Sequence, residues 1–257
     1  MTDFTEHQRK NMKKKLEILK NKISSKIWSD NQKDISPYLS EERGRIFGKS
    51  NLIIKPRNTL EVSEVLKICY KNNIKIVPQG GRTGLSGGTV PSKDGSEVIF
   101  SLEKMNKILN INVYNSSITV QSGCILSKIK NVAKKNNLYF PIDIASEEKC
   151  TIGGNIATNA GGTAVLKYGM TRDLILGLEV VLSNGTIIHG LRDIKKDNRG
   201  YDLKHLFIGA EGTLGIVTLA KLKLFPEIAN KDIAIIAIDD IKDAINFLSM
   251  VKSHYSE

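Results

Sequence analysis

PQGGRTGLSGG, Pro78 to Gly88, places five glycines in eleven residues directly after the short apolar run Ile74 to Val77. A strand-like run that empties into glycine gives the main chain freedom to turn tightly and to approach another group closely. The two common nucleotide loops are excluded, because the stretch contains no G-x-x-x-x-G-K-[ST] and no G-x-G-x-x-G register. Holding an anion requires less than either motif. Consecutive backbone N–H groups must converge on one point, and Gly80, Gly81 and Gly84 permit the curvature that a side chain would block. A diphosphate meets that demand, although one such cluster alone is equally well explained as a tight turn. Two further clusters, TIGGNIATNAGG at Thr151 to Gly162 and IGAEGTLGIV at Ile208 to Val217, give the chain three loops able to converge on one extended cofactor.

Periodicity around these clusters sets the fold class. Upstream, NLIIKP reads as a strand, Thr59 as a helix cap, and Val62, Val65, Leu66 and Cys69 as the buried face of the helix that follows. KIVP then makes a second strand, so a β-α-β unit delivers the chain into Pro78 to Gly88, with EVIFS at Glu97 to Ser101 as a third strand. Downstream, ILNINV and SITVQS form a hairpin-like pair, followed by a helix carrying Ile125, Ile129 and Val132 on one face. LGLEVVLS and TIIHG flank Asn184-Gly185, a hairpin turn whose two residues tolerate positive φ. GIVTLAKLKLF closes this second lobe at Pro226, after which DIAIIAI and DIKDAINFLSMVKSH read as the strand and helix that open another domain. The expected architecture is α+β: a small β-α-β lobe, a larger and mainly antiparallel lobe, and the beginning of a further domain.

With 257 residues and 40% hydrophobic content the chain can bury one large core or two modest ones. No apolar run approaches the roughly 20 residues of a membrane-spanning helix. The amino terminus lacks a secretory signal, and its basic, amphipathic character resembles an organelle transit peptide only vaguely, so the cytoplasm is the expected compartment. Cys69, Cys124 and Cys150 lie far apart and suggest neither a disulfide framework nor a zinc site. The net charge of +11 raises nucleic acid or an anionic membrane as partners. Much of the excess sits in the first 26 residues, where lysines surround Leu16, Ile18, Leu19 and Ile23 in a helical pattern. A solvated helix face explains that pattern, nucleic acid is not expected because no stacking platform accompanies the charge, and a peripheral membrane contact stays open.

Four ordered motifs carry a resemblance: PQGGRTGLSGGTVP, PIDIASEEKCTIGGNIATNAGG, KYGMTRDLILGLEVVLSNGT and DNRGYDLKHLFIGAEGTLGIVT. In order and spacing they are similar to the FAD-binding domain of the vanillyl-alcohol-oxidase, or PCMH-type, flavoproteins, above all the branch of D-2-hydroxyglutarate dehydrogenase, D-lactate dehydrogenase and the FAD subunit of glycolate oxidase. The similarity runs from about Tyr38 to Pro226. It implies an N-terminal helical segment at 1–37, the FAD-binding PCMH-type domain at 38–226, and an incomplete substrate or cap domain from 227. It also implies the site. Gly80, Gly81, Arg82, Thr83 and Gly84 stand where the family wraps the FAD diphosphate. Asp143, Ala145 and Ser146, with Thr151, Gly153, Gly154, Asn155, Thr158 and Asn159, stand where it lines the remaining diphosphate and the isoalloxazine. Glu211, Gly215, Ile216 and Val217 match the segment contacting the adenosine and ribityl parts. Some relatives tether the flavin through a histidine in the first loop; Arg82 occupies that place here, so FAD is expected to be noncovalent, with the guanidinium adding charge near the diphosphate. At Ala145-Ser146 the chain departs from the family's commoner glycine-alanine pair.

The same resemblance implies oxidation of a D-2-hydroxy acid such as D-2-hydroxyglutarate, D-lactate or glycolate, by hydride transfer to the flavin, and an electron acceptor that is a protein or a quinone. Such a reaction needs a base for the hydroxyl proton and a cation for the substrate carboxylate. The family supplies these groups, and any metal-binding histidines, from the substrate domain, so no catalytic and no metal residue is expected in this chain. His189 and His205 have no ligand partner at useful spacing. Two readings follow: the FAD-binding portion of a dehydrogenase that acts with a longer chain or complementing subunit, or an FAD-binding module without turnover of its own.

Overall fold

The computed structural model describes residues 6–192, 194, 196–228 and 232–254. The first five residues of the expected N-terminal segment therefore lie outside the described residues. The chain divides into two compact units, Met1–Glu227 and Ile228–Glu257.

In the first unit the chain runs through α1 (Glu6–Lys22), β1 (Trp28–Ser29), α2 (Gln32–Ile35), β2 (Ile53–Ile54), α3 (Thr59–Lys71), β3 (Lys75–Gln79) and β4 (Glu97–Ser101). The four strands make one sheet in the order β1-β2-β4-β3, with β4 parallel to both β2 and β3. The β-α-β unit is thus real, but β4 inserts between its two strands. That central position explains the unbroken apolar run of EVIFS, since a strand covered on both faces has no need to alternate. Phe100, its largest side chain, is fully buried, which is worth about 2–3 kcal/mol in area removed from water. The buried stripe of α3 is Val62, Val65, Leu66 and Cys69, as its spacing predicts. Its cap differs from expectation: Asn58 accepts the Glu61 N–H at 2.9 Å, and Thr59 instead donates its hydroxyl to Glu179 Oε1 at 2.5 Å. The apolar face of α1 is taken as well, because Leu16, Leu19 and Ile23 pack into the same core as α3 and β4.

The chain continues through β5 (Ile108–Asn112), β6 (Ser117–Gln121), α4 (Leu126–Lys134), β7 (Leu138–Tyr139), α5 (Ile152–Ala157), α6 (Val165–Tyr168), β8 (Ile175–Val181), β9 (Ile187–Gly190), α7 (Lys204–Phe207), β10 (Ile216–Lys223) and β11 (Phe225–Pro226). A five-stranded antiparallel sheet has the order β5-β6-β10-β8-β9, so the expected hairpins β5-β6 and β8-β9 are joined by β10 between them. The Asn184-Gly185 turn uses positive φ at Gly185 alone (+85°); Leu182 N–H bonds Thr186 O across a three-residue loop, the type I turn closed by a left-handed glycine. In α4 the buried face is Leu126, Ile129 and Ala133, while Ile125 is the N-cap and partly exposed. The expected face is rotated because the helix starts one residue later. Val181 and Ile216 of the large sheet reach into the core of the small one, so the two sheets share a seam.

In the second unit, α8 (Ile241–His254) forms where DIKDAINFLSMVKSH predicts a helix, with Asp240 Oδ1 accepting the Lys242 N–H at 2.8 Å. DIAIIAI is not a strand. Apolar alternation alone does not make one, because the ladder needs a second edge to take up its backbone N–H and C=O groups.

Candidate cofactor site

The first glycine segment leaves the carboxyl end of β3, the side of a parallel strand pair on which ligands are taken in open α/β sheets. The other two segments are tied by backbone hydrogen bonds to the end of β6 and to each other. Gly153 N–H bonds Ser122 O (2.7 Å) at the exit of β6; Gly209 N–H bonds Ile156 O (3.0 Å) and Glu211 N–H bonds Ala157 O (2.9 Å) at the end of α5. Contact is closest where the glycines meet. A β-carbon on Gly80 would lie 2.3 Å from Thr151 Oγ1, and one on Gly212, which has φ +78°, 2.7 Å from Pro78 Cγ. TIGGNIATNAGG is accordingly not all loop: its first half is α5, capped by Thr151, whose hydroxyl accepts the Gly154 N–H.

These approaches leave a cleft walled by all three segments. Gly80 and Gly84 line it from the first, Thr151, Gly153, Gly154 and Thr158 from the second, and Glu211, Gly215, Ile216 and Val217 from the third. Asp143, Ala145, Ser146, Asn155 and Asn159 do not line it, and neither do Gly81, Arg82 and Thr83. Their places explain what they do instead. Asp143 braces the second segment: its backbone O accepts the Thr163 N–H (3.2 Å), and the close pass of Gly162 over that oxygen leaves no room for a β-carbon. The backbone O of Ser146 accepts the N–H groups of Lys149 and Cys150, closing the turn before Thr151, and Ala145 is exposed. Asn155 is buried within α5. Asn159 Oδ1 accepts the Arg172 N–H at 2.9 Å, and the Arg172 guanidinium reaches His205 O (2.8 Å) and Ile208 O (2.5 Å), tying the second segment to the third. Arg82 turns away from the cleft and lays its guanidinium over the Tyr38 ring, 4.2 Å from the centroid.

Three of the expected site residues share a backbone feature. Arg82 (φ +57°), Asn159 (+47°) and Glu211 (+50°) are left-handed without being glycine, one in each segment. Such conformations cost about 1–2 kcal/mol apiece and gather where a structure holds a ligand in place.

The cleft also has residues that the motifs did not single out. Gln79 is 1% exposed; its Nε2 donates to Tyr38 O (3.0 Å) and Thr89 O (2.6 Å), which fixes the amide's orientation and leaves Oε1 without a partner among the described residues. Ser122, also buried, has an Oγ without a partner among the described residues. Both line the cleft. Gln79 had a signal in sequence, as the polar residue at the strand-to-glycine junction; Ser122 had only the small-residue run Ser122-Gly123-Cys124. Glu211 is the one ionisable side chain among the lining residues, so a diphosphate here would be met by neutral donors. His189 pairs with Glu179 (3.1 Å) and His205 with Asp202 (3.3 Å); neither lines the cleft, and among the described residues no His, Cys, Asp and Glu group forms a metal-holding cluster. No described helix is long and apolar enough to cross a membrane.

Comparison with known proteins gives a family match over residues 50–190, to the FAD binding domain. D-2-hydroxyglutarate dehydrogenase, mitochondrial, of Arabidopsis thaliana is 41% identical over 210 residues, 82% of this chain and 37% of that protein. The glycolate oxidase subunit GlcD of Bacillus subtilis (strain 168) is 45% identical over 197 residues, 77% of this chain and 42% of that protein. Among solved structures, an alkyldihydroxyacetonephosphate synthase superposes with a TM-score of 0.73 at 25% identity, covering 83% of this chain and 40% of that one. The chain spans about two fifths of the length of these relatives.

The cleft fits FAD on its own terms. Glycine backbone lines it from all three segments, and two buried polar atoms on its wall, Gln79 Oε1 and Ser122 Oγ, lack the partners that buried groups ordinarily have. Gly80, Gly84, Gly153 and Gly154 would hold the cofactor's polar spine by main chain, with Ile216 and Val217 as apolar wall. With a family match across more than half its length, the chain belongs to the FAD binding domain family.

Proposed function

We propose that this chain is the FAD-carrying portion of an oxidoreductase that oxidises a D-2-hydroxy acid, of the class of D-2-hydroxyglutarate, D-lactate or glycolate. The observation that carries the proposal is the convergence of three distant glycine segments on one cleft, in a chain whose curated relatives bear the names of such enzymes. Bound FAD supplies a two-electron acceptor. The chain's own residues bind it noncovalently: Arg82, at the position where a tether would form, lies against Tyr38, and an arginine offers no such bond. The substrate's base and carboxylate anchor come, in this proposal, from residues outside this chain, in a continuing domain or a complementing subunit, with a protein or quinone taking the electrons onward.

A second reading, an FAD-binding module without turnover, is favoured by the second unit. Ile233 and Ile235 are more than nine-tenths exposed, and α8 has no buried residue, so this segment is available to a partner. The FAD-reconstituted chain, alone and co-purified with the continuing domain or complementing subunit it retains, is mixed anaerobically with D-lactate, glycolate and D-2-hydroxyglutarate to separate the two. Bleaching of the flavin by one acid in the complemented sample but not in the isolated chain supports the enzyme; flavin that stays yellow in both supports the module. The compartment belongs to the same proposal: cytoplasm is expected, the Arabidopsis relative is named mitochondrial, and imaging of a tagged chain decides between them.

A further inference from the structure

Two contacts on the first glycine segment come from one residue about forty positions upstream. Tyr38, 7% exposed, carries the Arg82 guanidinium on its ring at 4.2 Å. Its backbone O accepts one hydrogen of Gln79 Nε2 (3.0 Å), and that nitrogen gives its other hydrogen to Thr89 O (2.6 Å). One amide therefore ties both ends of the glycine segment to Tyr38. The ring itself cannot swing, because its hydroxyl donates to Glu103 Oε2 (2.7 Å) and accepts from Lys55 Nζ (2.7 Å), while Lys55 pairs with Glu103 at 3.0 Å.

Arg82 sits at φ +57°, a region that a residue with a β-carbon keeps only when its surroundings hold it there. A planar guanidinium stacked on an aromatic face is such a hold, and an ammonium on a flexible stem is a poor substitute. The groove that Arg82 lines shares Gly80 and Thr151 with the cofactor cleft, so the residue two positions before Arg82 belongs to the cleft wall.

We propose that Tyr38 is a positioning residue for the cofactor: its stack on Arg82 locks the left-handed turn that sets Gly80 and Gly84 against FAD, and Arg82 acts through that stack rather than as a counter-charge to the diphosphate. The proposal rests on the FAD reading of the cleft.

The test is FAD affinity of the full chain, from quenching of flavin fluorescence, alongside the melting temperature of the cofactor-free protein. Arg82→Lys keeps the charge and loses the stack; it is expected to bind FAD about tenfold more weakly, with the cofactor-free melting temperature unchanged. Tyr38→Leu is expected to lose a similar factor and Tyr38→Phe, which keeps the ring, less than about threefold. The double variant Tyr38→Leu/Arg82→Lys is expected to be no weaker than the worse single one, since the two changes remove one interaction. If Tyr38→Leu fails to fold, the Arg82→Lys and Tyr38→Phe pair carries the test. Wild-type affinity in Arg82→Lys, or additive losses in the double variant, overturns the proposal. A folded wild-type chain that does not bind FAD overturns the reading of the cleft as well, so the two failures are distinct.

Discussion

At the root of the first glycine segment, a β-carbon on Gly80 would lie 2.3 Å from Thr151 Oγ1 and one on Gly81 2.2 Å from the Lys149 backbone oxygen; at its tip, one on Gly84 would meet nothing within 4 Å. The residue type is the same and the reason for it is different. At the root, glycine lets the first segment press against the turn that leads into α5, and any larger residue collides with protein. At the tip, Gly84 is exposed and lines the cleft, so a β-carbon there meets no described protein atom and projects into space open to a ligand. A glycine-rich loop is therefore two structures in series, one answering to the fold and one to the cofactor, and the two ends are separable by mutation.

Gly81→Ala should show the larger effect. The obstacle is a backbone carbonyl that cannot rotate away, and overpacking of this kind costs about 3 kcal/mol, roughly 6–12 °C in melting temperature for a chain of this size. Differential scanning calorimetry of the cofactor-free protein measures it; an unchanged melting temperature would mean the root is not packed as described. Gly84→Ala should do the reverse, leaving the cofactor-free stability within about 0.5 kcal/mol and weakening FAD about tenfold, because its β-carbon would enter space assigned to the cofactor in the proposed site. Equal damage to stability from both variants would erase the distinction between root and tip.

The support behind the root has a pH signature. Burial works against the Glu103 carboxylate, but hydrogen bonds from Tyr38 and Lys55 outweigh it and hold the group below its ordinary 4.5. A folded-state pKa below the unfolded one stabilises the chain above about pH 4.5, and that contribution disappears as the pH falls through the folded value. Glu103→Gln should therefore melt a few degrees below the wild type at pH 7, with the two curves converging in acid. A gap that does not narrow as the pH is lowered would assign the loss to packing rather than charge. The smallest signal is a thiol. Burial pushes the Cys150 thiol up and takes Cys69 to about 12, so neither should alkylate at pH 8 in the folded protein. Cys150 Cα would lie 2.8 Å from a β-carbon on Gly81; iodoacetamide labelling of Cys150 should rise in Gly81→Ala and stay at background in Gly84→Ala.

What could be read in the residues, and what could not, follows the same divide. Local patterns were legible: the α3 stripe came from helical periodicity, the two hairpins from strand runs flanking turns, and EVIFS as a strand from its short apolar run, though its central place in the sheet was not. The three glycine clusters were legible as one site because their number, not any one spacing, argued for convergence. Features decided by distant partners were hidden. Thr59 looks like a cap until Glu179, 120 positions away, takes its hydroxyl. Two adjacent glycines masked α5, whose start is fixed by Thr151 and by packing on Gly80. DIAIIAI has the composition of a strand and no edge to pair with in its own unit. Asp143, Ala145 and Ser146 were placed at the site by resemblance and do not line the cleft, whereas Gln79 and Ser122 came forward because only the folded cleft reveals which buried polar atoms lack partners among the described residues. Arg82 looked like a charge for the diphosphate; nothing in the linear order connects it to Tyr38.

The central claim is that Gly80, Gly153, Glu211 and their segments form one FAD cleft in the chain as it stands. Titration of the purified, folded chain with FAD, followed by flavin fluorescence with circular dichroism as the check on folding, tests it directly. The prediction is saturable quenching at a single equivalent, weakened in Gly84→Ala while the dichroism spectrum is unchanged. A chain with wild-type dichroism that leaves FAD free at every concentration, or one that binds it equally well with Gly84→Ala, would contradict the account.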